Sequence, residues 1–466
     1  MRENEASAHP WMANSVADLK RRMLEAVGAS SIEELFHQIP EDHRFRGELR
    51  LPPSLRSEPE LKRHLVRTLS KNATCEETLS FLGAGVWQHH VPAICDTVYG
   101  RTEWLTSVFG GPSSDHGRNQ AWFEFGAQLG ELVDMEFVGL PVYSWGCAIG
   151  HAIRMAARMT GRRKVVLAGA MDPERLSVVR TYCEPRETAT HIAIVHVPHD
   201  PRTGLVDMAA LKAAVGTDVA AVYFETPGYN GMIEPRAAEI AALARAAGAE
   251  TIAGCDPIAL GVLAPPGSFG ADIAVGPTQP LGVHMNCGGG VGGYIASRDE
   301  ERYAREYPTL NVSIAPTADG KHGFGLSLFH QSSYGMREEG KDWTGNSVYM
   351  WAVANAVYMS LLGPQGFREV GGLILQRAHY AAGRLAAVRG VRVPHPTGFF
   401  KEFLVDFAGT GRTVAEINRA LRDHGIFGGK DVSAEGFGPM ALYCVTEIHT
   451  KDDIDRLATA LEEICR

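Results

Sequence analysis

Short apolar runs alternate with helical segments along the middle of the chain, and this alternation limits the possible folds more than any other pattern. The runs hold six to eight residues and are separated by amphipathic stretches such as EPRAAEIAALARAAG. In chain order they are KVVLAGAM, HIAIVHV, VAAVYFET, TIAGCD, ADIAVG and GGYIAS. Strands read this way when helices cover both faces of a parallel sheet. The pattern therefore predicts an α/β fold built on a mostly parallel sheet.

The N-terminal 72 residues have a helical pattern of their own. Ser31 and Glu34 have capping-box spacing before SIEELFHQI, and Thr74 and Glu77 have the same spacing before the next predicted helix. In a capping box the hydroxyl and the carboxylate accept hydrogen bonds from N–H groups that the first turn leaves unpaired. We predict a helical arm over residues 1–72.

The C-terminal part has a βαβα pattern, formed by FFKEFLVDF, TVAEINRALRDHG, MALYCVTEI and KDDIDRLATALEEI. We therefore place a large domain at 73–330 and a small α/β domain at 331–466. A large α/β domain followed by a small one is the outline of the fold-type I pyridoxal-phosphate (PLP) transferases.

Composition excludes several classes of protein. The chain has 466 residues and a net charge of −9, with no basic stretch of the kind that binds nucleic acid. No apolar run approaches the roughly 20 residues that span a membrane, and the polar N-terminus has no secretory signal pattern. The eight cysteines include no CxxC pair, so we expect reduced thiols in a cytoplasmic protein.

Asp256 is the first candidate for chemistry, because it follows the apolar run TIAGC at the C-terminal end of a predicted strand. Ligand-facing groups of α/β sheets occupy such positions. In PLP enzymes a carboxylate pairs with the ring nitrogen and keeps it protonated. The alternative is an ordinary aspartate that caps the turn DPIALG.

A PLP enzyme of this outline also needs a lysine soon after the aspartate, to hold the cofactor as a Schiff base. No lysine occurs between Lys212 and Lys321. Arginine cannot replace it, because the guanidinium stays protonated. We therefore predict that this chain has no Schiff-base lysine and forms no internal aldimine.

The segment that should carry the lysine resembles subunit 1 (alpha) of the two-subunit glycine decarboxylases, the P-proteins of the glycine cleavage system. In that family a QPLG-bearing loop replaces the histidine–lysine pair of the catalytic subunit, and Gln279-Pro280-Leu281-Gly282 stands in that place here. The resemblance covers nearly the whole chain. It includes SSIEELFHQIPEDHR, FLGAGVWQHHVPAICD, AVYMSLLGPQGFREV, FFKEFLVDF and CVTEIHTKDDIDRL.

The resemblance implies an oxidoreductase, glycine dehydrogenase (aminomethyl-transferring), of which this chain is the subunit without catalytic residues. We expect PLP to be bound covalently on a lysine-bearing beta subunit in an α2β2 assembly. Glycine is the implied substrate, and a lipoyl-bearing H-protein accepts the aminomethyl group. This chain completes the cleft of its partner.

Three stretches depart from the family pattern. VFGGPSSDHGRNQ replaces YTPYQPEISQG, LPVYSWGCAIGHA replaces a segment ending in YDGATA, and REEGKDWTGNSV replaces RREKATSNIC. These departures keep two alternatives open. The chain could be a subunit of a paralogous PLP enzyme acting on another amine or amino acid, or a stabilising or regulatory pseudo-enzyme.

The remaining cofactor-binding candidates flank the same predicted cleft. Ser144, Gly146 and Cys147 open the helix GCAIGHAIRMAA, where N–H groups suit a phosphate; an ordinary N-cap serine is the alternative. Gln279 and His284 belong to the loop that lacks the lysine, and packing alone is the alternative for His284.

Three further groups of residues have the chemistry of ligands. The glycines at 288–290, with Gly292 and Gly293, resemble a phosphate loop, although a tight turn explains them equally well. For the adjacent His89 and His90 we expect one packed and one solvated residue. Cys147 and His151 share a helix face, but no further ligand accompanies them, so we predict no metal site.

Overall fold

A computed structural model describes residues 11–104, 112–186, 190–286, 291–327 and 348–466, together with Met336 and Lys341. The chain divides after Asn72 into two units, which are described separately. In the described part of the chain, no helix is both long and apolar enough to cross a membrane.

Over its described residues, 11–72, the N-terminal unit contains two α-helices, α1 (Ala17–Ala26) and α2 (Glu58–Leu69). Three short 3₁₀ turns occur at Ala13–Ser15, Glu33–Phe36 and Glu41–His43. Ser57 caps α2 by accepting a hydrogen bond from the Glu60 N–H at 3.3 Å. The large apolar side chains along this unit are exposed or half-buried rather than buried.

The helix predicted from Ser31 and Glu34 forms only as a short 3₁₀ turn. The Glu34 carboxylate accepts the N–H of Ser30 at 2.8 Å, one residue earlier than predicted. Pro40 follows closely and has no N–H with which to continue a helix. The prediction identified the capping carboxylate but was wrong about the helix.

The helix predicted after Thr74 is also wrong. The N–H groups of Glu77 and Thr78 both donate to the Thr74 carbonyl, which makes a single turn. A strand begins at Leu79 and pairs with a strand from the C-terminal part of the chain. These inter-strand hydrogen bonds take the place of a second helical turn.

Strands of the C-terminal unit are numbered along the chain. Their bounds are β1 Leu79–Ser80, β2 Phe137–Val138, β3 Lys164–Ala168, β4 Ala193–Val197, β5 Ala221–Glu225, β6 Glu250–Gly254, β7 Ile273–Pro277, β8 Gly293–Ser297, β9 Asn311–Pro316, β10 His322–Ser327, β11 Glu402–Asp406, β12 Ile426–Phe427, β13 Lys430–Asp431 and β14 Met440–Cys444.

The central sheet has seven strands in the order β2-β8-β7-β6-β5-β3-β4. Strands β3 to β7 are parallel, and β8 runs antiparallel to β7. All six apolar runs are strands of this sheet. Their side chains alternate between two hydrophobic clusters, with Val222 and Phe224 on one face of β5 and Ala221 and Tyr223 on the other. The sheet is therefore covered on both faces, as predicted.

Helices of the same unit follow in chain order. Their bounds are α3 Ala93–Tyr99, α4 Pro112–Val133, α5 Trp145–Thr160, α6 Pro173–Cys183, α7 Met208–Ala214, α8 Ala237–Ala246, α9 Glu301–Ala304, α10 Tyr349–Ala386, α11 Val414–Asp423 and α12 Lys451–Ile464.

The C-terminal βαβα pattern forms as predicted. Strands β11, β14 and β13 make a three-stranded antiparallel sheet. Capping boxes at Thr413 and Thr450 begin α11 and α12. Helix α10 precedes these elements and bends at Gly363, where φ is 57°. The predicted boundary at 330/331 lies outside the described residues, so the division into large and small domains stays a prediction.

Candidate functional site

Asp256 lies two residues beyond the C-terminal end of β6, the middle strand of the seven-stranded sheet. Its side chain is buried. One carboxylate oxygen, Oδ1, accepts the backbone N–H of Ile258 at 3.1 Å and so caps the following turn. The other oxygen, Oδ2, is left to face a cation.

That cation is Lys401, which immediately precedes β11. Its Nζ lies 2.7 Å from Asp256 Oδ2, and both side chains are buried. The ammonium also lies 3.4 Å from the centroid of the Trp87 ring. It donates to Nε2 of His89 at 3.1 Å. A buried charge needs such partners, because it has lost its water.

His89 continues this chain of contacts to Glu447, whose Oε2 lies 2.8 Å from His89 Nδ1. The two ring nitrogens of His89 thus link the Lys401 side chain to the Glu447 carboxylate. Burial opposes the ionised form of Glu447, yet contacts with His89 and with the His90 N–H hold its pKa at about 2. We call Asp256, Lys401, His89 and Glu447 the Lys401 network.

A second buried cluster adjoins the network. The Arg175 guanidinium stacks at 4.0 Å on the Trp145 ring. It pairs with both oxygens of Glu225, at 3.2 and 2.9 Å, and with Asp172 at 3.2 Å. Glu402 accepts the Ala84 N–H at 2.6 Å. Burial raises the pKa of Glu402 to about 7.

An open cleft of about 300 Å³ lies next to these clusters. Its walls come from the loop before α3, the start of α5 and the start of α6. The lining residues are Leu82, Gly83, Ala84, Gly85, Val86, Trp87, Ser144, Trp145, Gly146, Asp172, Glu174, Arg175, Val178, Pro277, Gln279, Gly292 and Lys430. Beside Asp256 itself only about 10 Å³ is left, between Trp87, Trp145, Arg175 and Lys401.

The structure brings together four of the six candidate cofactor-binding residues. Ser144, Gly146 and Gln279 line the open cleft, and Asp256 lines the small cavity behind it. Cys147 and His284 belong to neither lining. The His284 side chain is 64% exposed and pairs with Asp96 at 3.0 Å. Cys287 and the glycines at 288–290 lie outside the described residues.

The candidates at the cleft are engaged within the protein. Ser144 is the N-cap of α5 and accepts the Cys147 N–H at 3.2 Å. Gly146 faces α6 so closely that a Cβ there would lie 3.0 Å from Val178. The amide of Gln279 donates to the Val283 carbonyl at 2.8 Å.

Most of the charged residues of the site were not predicted from the sequence, among them Lys401 and Glu402. The sequence does contain a pattern that indicates them, because Lys401 and Glu402 interrupt the apolar run FFKEFLVDF. Charged residues in such a run are buried only when they are paired. His89 and His90 match expectation, one buried and one exposed. Among the described residues, no group of three His, Cys, Asp or Glu could hold a metal ion.

The residues around Asp256 do not fit PLP in this arrangement. The carboxylate that would pair with the ring nitrogen is already paired with Lys401. The free space beside it, about 10 Å³, is about what one water molecule needs. A pyridine ring has no room there unless these side chains move.

Comparison with known proteins gives a consistent result. A family model described as glycine cleavage system P-protein matches residues 11–461. The chain is 38% identical over 446 residues to a probable glycine dehydrogenase (decarboxylating) subunit 1 of Geobacillus kaustophilus, covering 95% of this chain and 96% of the relative. A protein of the same name from Staphylothermus marinus is 34% identical over 469 residues, covering 98% of each chain.

Solved structures agree. A glycine decarboxylase (P-protein) of the glycine cleavage system, in inhibitor-bound form, matches with a TM-score of 0.85 and 32% identity, over 98% of this chain and 99% of that chain. A sphingosine-1-phosphate lyase of Burkholderia pseudomallei matches with a TM-score of 0.64 and 15% identity, over 91% and 94%. At 15% identity, the match to the lyase supports a shared fold and nothing more. The predicted fold-type I transferase-like architecture is confirmed.

Proposed function

Because the chain belongs to the P-protein family of the glycine cleavage system, we propose that it is the lysine-less subunit of a two-subunit glycine decarboxylase. In this proposal a partner subunit supplies the lysine and the covalently bound PLP. This chain completes the partner's cleft, and a lipoyl-bearing H-protein accepts the product. We place the assembly, an α2β2 tetramer, in the cytoplasm.

The observation that carries the proposal is the loop after β7, where a catalytic chain would need its lysine. Thr278 to Leu281 are buried there, and none of them is an amine. The Asn355 amide fastens the loop by donating to the carbonyls of Thr278 at 2.9 Å and Leu281 at 2.8 Å. The loop is thus a closed structural turn rather than a platform for a reactive side chain.

Two lysines do border the cleft region, but both are paired. Lys401 is held by Asp256, and Lys430 lies 3.0 Å from Glu435 and donates to the Tyr229 hydroxyl at 3.0 Å. A Schiff-base lysine must present a free, unprotonated amine to the cofactor. Lys401 and Lys430 are instead engaged by carboxylates of this chain. These contacts support placing the catalytic lysine on the partner.

Reconstitution tests the proposal. The full-length chain and the lysine-bearing P-protein subunit encoded with it are purified separately and mixed, with PLP and H-protein present. Release of CO₂ from carboxyl-labelled glycine is then measured. We expect neither subunit alone to be active and the mixture to be active. Turnover of glycine by this chain alone would reject the proposal.

A second candidate is a paralogous PLP enzyme that acts on another small amine. The observation in its favour is Trp145, a bulky residue at the first turn of α5, within the stretch LPVYSWGCAIGHA that departs from the family pattern. Its ring lies under the Arg175 guanidinium and narrows the cleft. The departing stretch REEGKDWTGNSV lies largely outside the described residues, whereas residues 112–120 of VFGGPSSDHGRNQ begin α4. A mixture that is inactive on glycine but active on another amine, without H-protein, would favour this candidate.

A further inference from the structure

The Lys401–Asp256 pair lies just beyond the carboxyl end of the middle strand, β6. The carboxylate stands at the strand end where a PLP enzyme would pair it with the cofactor, and the cation comes from the start of β11. Nζ and Oδ2 are 2.7 Å apart, and each residue is at most 4% exposed. A lysine buried to this extent is rare unless a specific charge holds it.

Three neighbours of the Lys401 ammonium favour a positive charge. Nζ lies 2.7 Å from Asp256 Oδ2, donates to His89 Nε2 at 3.1 Å and lies 3.4 Å from the centroid of the Trp87 ring. A buried ammonium needs such neighbours, because it has lost its water. The face of an indole is the most favourable aromatic surface for a cation. The site is therefore built around a positive charge.

We propose that Lys401 is a built-in substitute for the protonated ring nitrogen of PLP, and that it closes the small cavity beside Asp256 to the cofactor ring. Asp256 keeps a cationic partner, as it would in a PLP-binding chain, but the partner is part of the protein. The remnant of the cofactor site thereby becomes a permanent structural ion pair. The inference concerns this chain alone and holds whichever amine the assembly decarboxylates.

The surroundings of the pair support closure rather than a temporary contact. His89 is itself held by Glu447, so the network reaches from the loop before α3 to the loop after β14. Trp87 and Trp145 pack edge to face, with ring centroids 6.2 Å apart. Only about 10 Å³ remains between these side chains. Admitting a pyridine ring would require moving several buried groups together.

Ligand exclusion is tested with pyridoxamine 5′-phosphate, which carries the ring nitrogen and the phosphate but has no aldehyde to react with surface lysines. Binding to the full-length chain is followed by quenching of tryptophan fluorescence. We expect no saturable quenching of the wild type. Lys401→Ala should bind the probe, and Lys401→Ala with Asp256→Asn should bind it at least about tenfold more weakly, which corresponds to about 1.4 kcal/mol.

Saturable binding to the wild type that Asp256→Asn abolishes would overturn the proposal. A Lys401→Ala chain that still excludes the probe would show that the tryptophans, and not Lys401, close the cavity. That result would also overturn the assignment to Lys401. Both outcomes are independent of glycine turnover, so they are distinguishable from failure of the proposed function.

A double-mutant cycle tests the pair without requiring a ligand. Lys401→Met keeps most of the side-chain volume and removes the charge, and Asp256→Asn removes the partner charge. Urea unfolding midpoints are measured for both single variants and the double variant. We expect each single change to lower the midpoint and the double change to lower it by clearly less than the sum. Additive shifts would mean that the two side chains do not act as a pair.

Discussion

At the residue scale, the site is governed by carboxylates whose environments differ sharply. Asp256 faces an ammonium, Glu447 accepts hydrogen bonds from His89 and His90, and Glu402 accepts the Ala84 N–H while remaining buried. Burial and hydrogen bonding act in opposite directions on a carboxylate. The pKa of Glu447 is accordingly lowered to about 2 and that of Glu402 raised to about 7. The carboxyl groups of Glu447 and Glu402 therefore ionise in separate pH ranges.

Glu402 should make the protein less stable as the pH rises. Its pKa is raised by burial from 4.5 to about 7, so between these values the folded state holds a proton that the unfolded state has released. Raising the pH through this window then lowers the free energy of unfolding, by roughly 3 kcal/mol in total. Glu402→Gln should remove this part of the dependence. Urea unfolding of both proteins at pH 4.5 to 8 measures it.

The matched control is Glu463→Gln, which changes an exposed glutamate of α12. It should leave the pH dependence of the wild type intact. A Glu402→Gln chain that follows the wild-type curve throughout would show that Glu402 does not hold its proton in the folded state.

At the element scale, the turn after β5 supports the start of β11, where Lys401 and Glu402 lie. Gly231 in this turn has φ of 86°, a conformation that favours glycine. A Cβ there would lie 1.8 Å from the Glu402 carbonyl oxygen, and the Gly231 carbonyl accepts the Phe400 N–H at 3.3 Å. Close backbone approach therefore fixes the position of the two charged residues.

Gly231→Ala should be severely destabilising, because it combines backbone strain with a clash against rigid main chain. Gly436→Ala is the matched control, since Gly436 has a similar φ of 89° but open space around its Cβ position. The control should lose about 1 kcal/mol from strain. Thermal unfolding should show a much larger loss, or no folded protein, for Gly231→Ala. Equal losses for the two variants would contradict the predicted clash.

Helix α2 of the N-terminal unit carries leucines at every fourth position. Leu61, Leu65 and Leu69 are 43%, 48% and 62% exposed, and residues four apart lie on one face of a helix. An exposed apolar stripe of this kind is typical of an interaction surface. We propose that the partner subunit covers it, since an active site shared by two subunits needs a stable interface.

Leu61→Ser with Leu65→Ser should weaken the complex with the partner subunit. Lys62→Ser with Arg63→Ser, two exposed changes on the same helix, serves as control. The dissociation constant is measured by analytical ultracentrifugation of the mixed subunits. We expect at least a tenfold increase for the leucine variant, about 1.4 kcal/mol, and little change for the control. An unaffected complex would place the interface elsewhere.

Local elements were predictable from the sequence, whereas contacts between distant segments were not. Six strands of the central sheet could be predicted from apolar runs, because a strand that is buried on both faces is apolar at nearly every position. The helix after Thr74 failed, because β1 pairs with β12 from the other end of the unit. The position of Asp256 at a strand end was predictable. Its ion pair with Lys401 was not, because the two residues lie far apart in the sequence and no local pattern indicates that they meet.

At the scale of the whole molecule, the proposal assigns the cofactor to one subunit and the supporting surface to the other. Borohydride reduction of the assembled complex, followed by peptide mass spectrometry, tests this division. We expect pyridoxyl-lysine on the partner subunit and none on this chain, because its cleft lysines are held in ion pairs. A pyridoxyl group on Lys401, Lys430, Lys321 or Lys341 would contradict the assignment.

The pairing of β1 with β12 also sets an order of events during synthesis on the ribosome. Leu79 and Ser80 lie beside Ile426 and Phe427, and the Phe81 carbonyl accepts the Cys444 N–H at 3.0 Å. Strand β1 therefore stays unpaired until nearly the whole chain has been translated. His89 likewise cannot contact Lys401 until residue 401 has been synthesised. Completion of this unit is consequently a post-translational step, and nascent chains released early would expose an unpaired strand edge to aggregation.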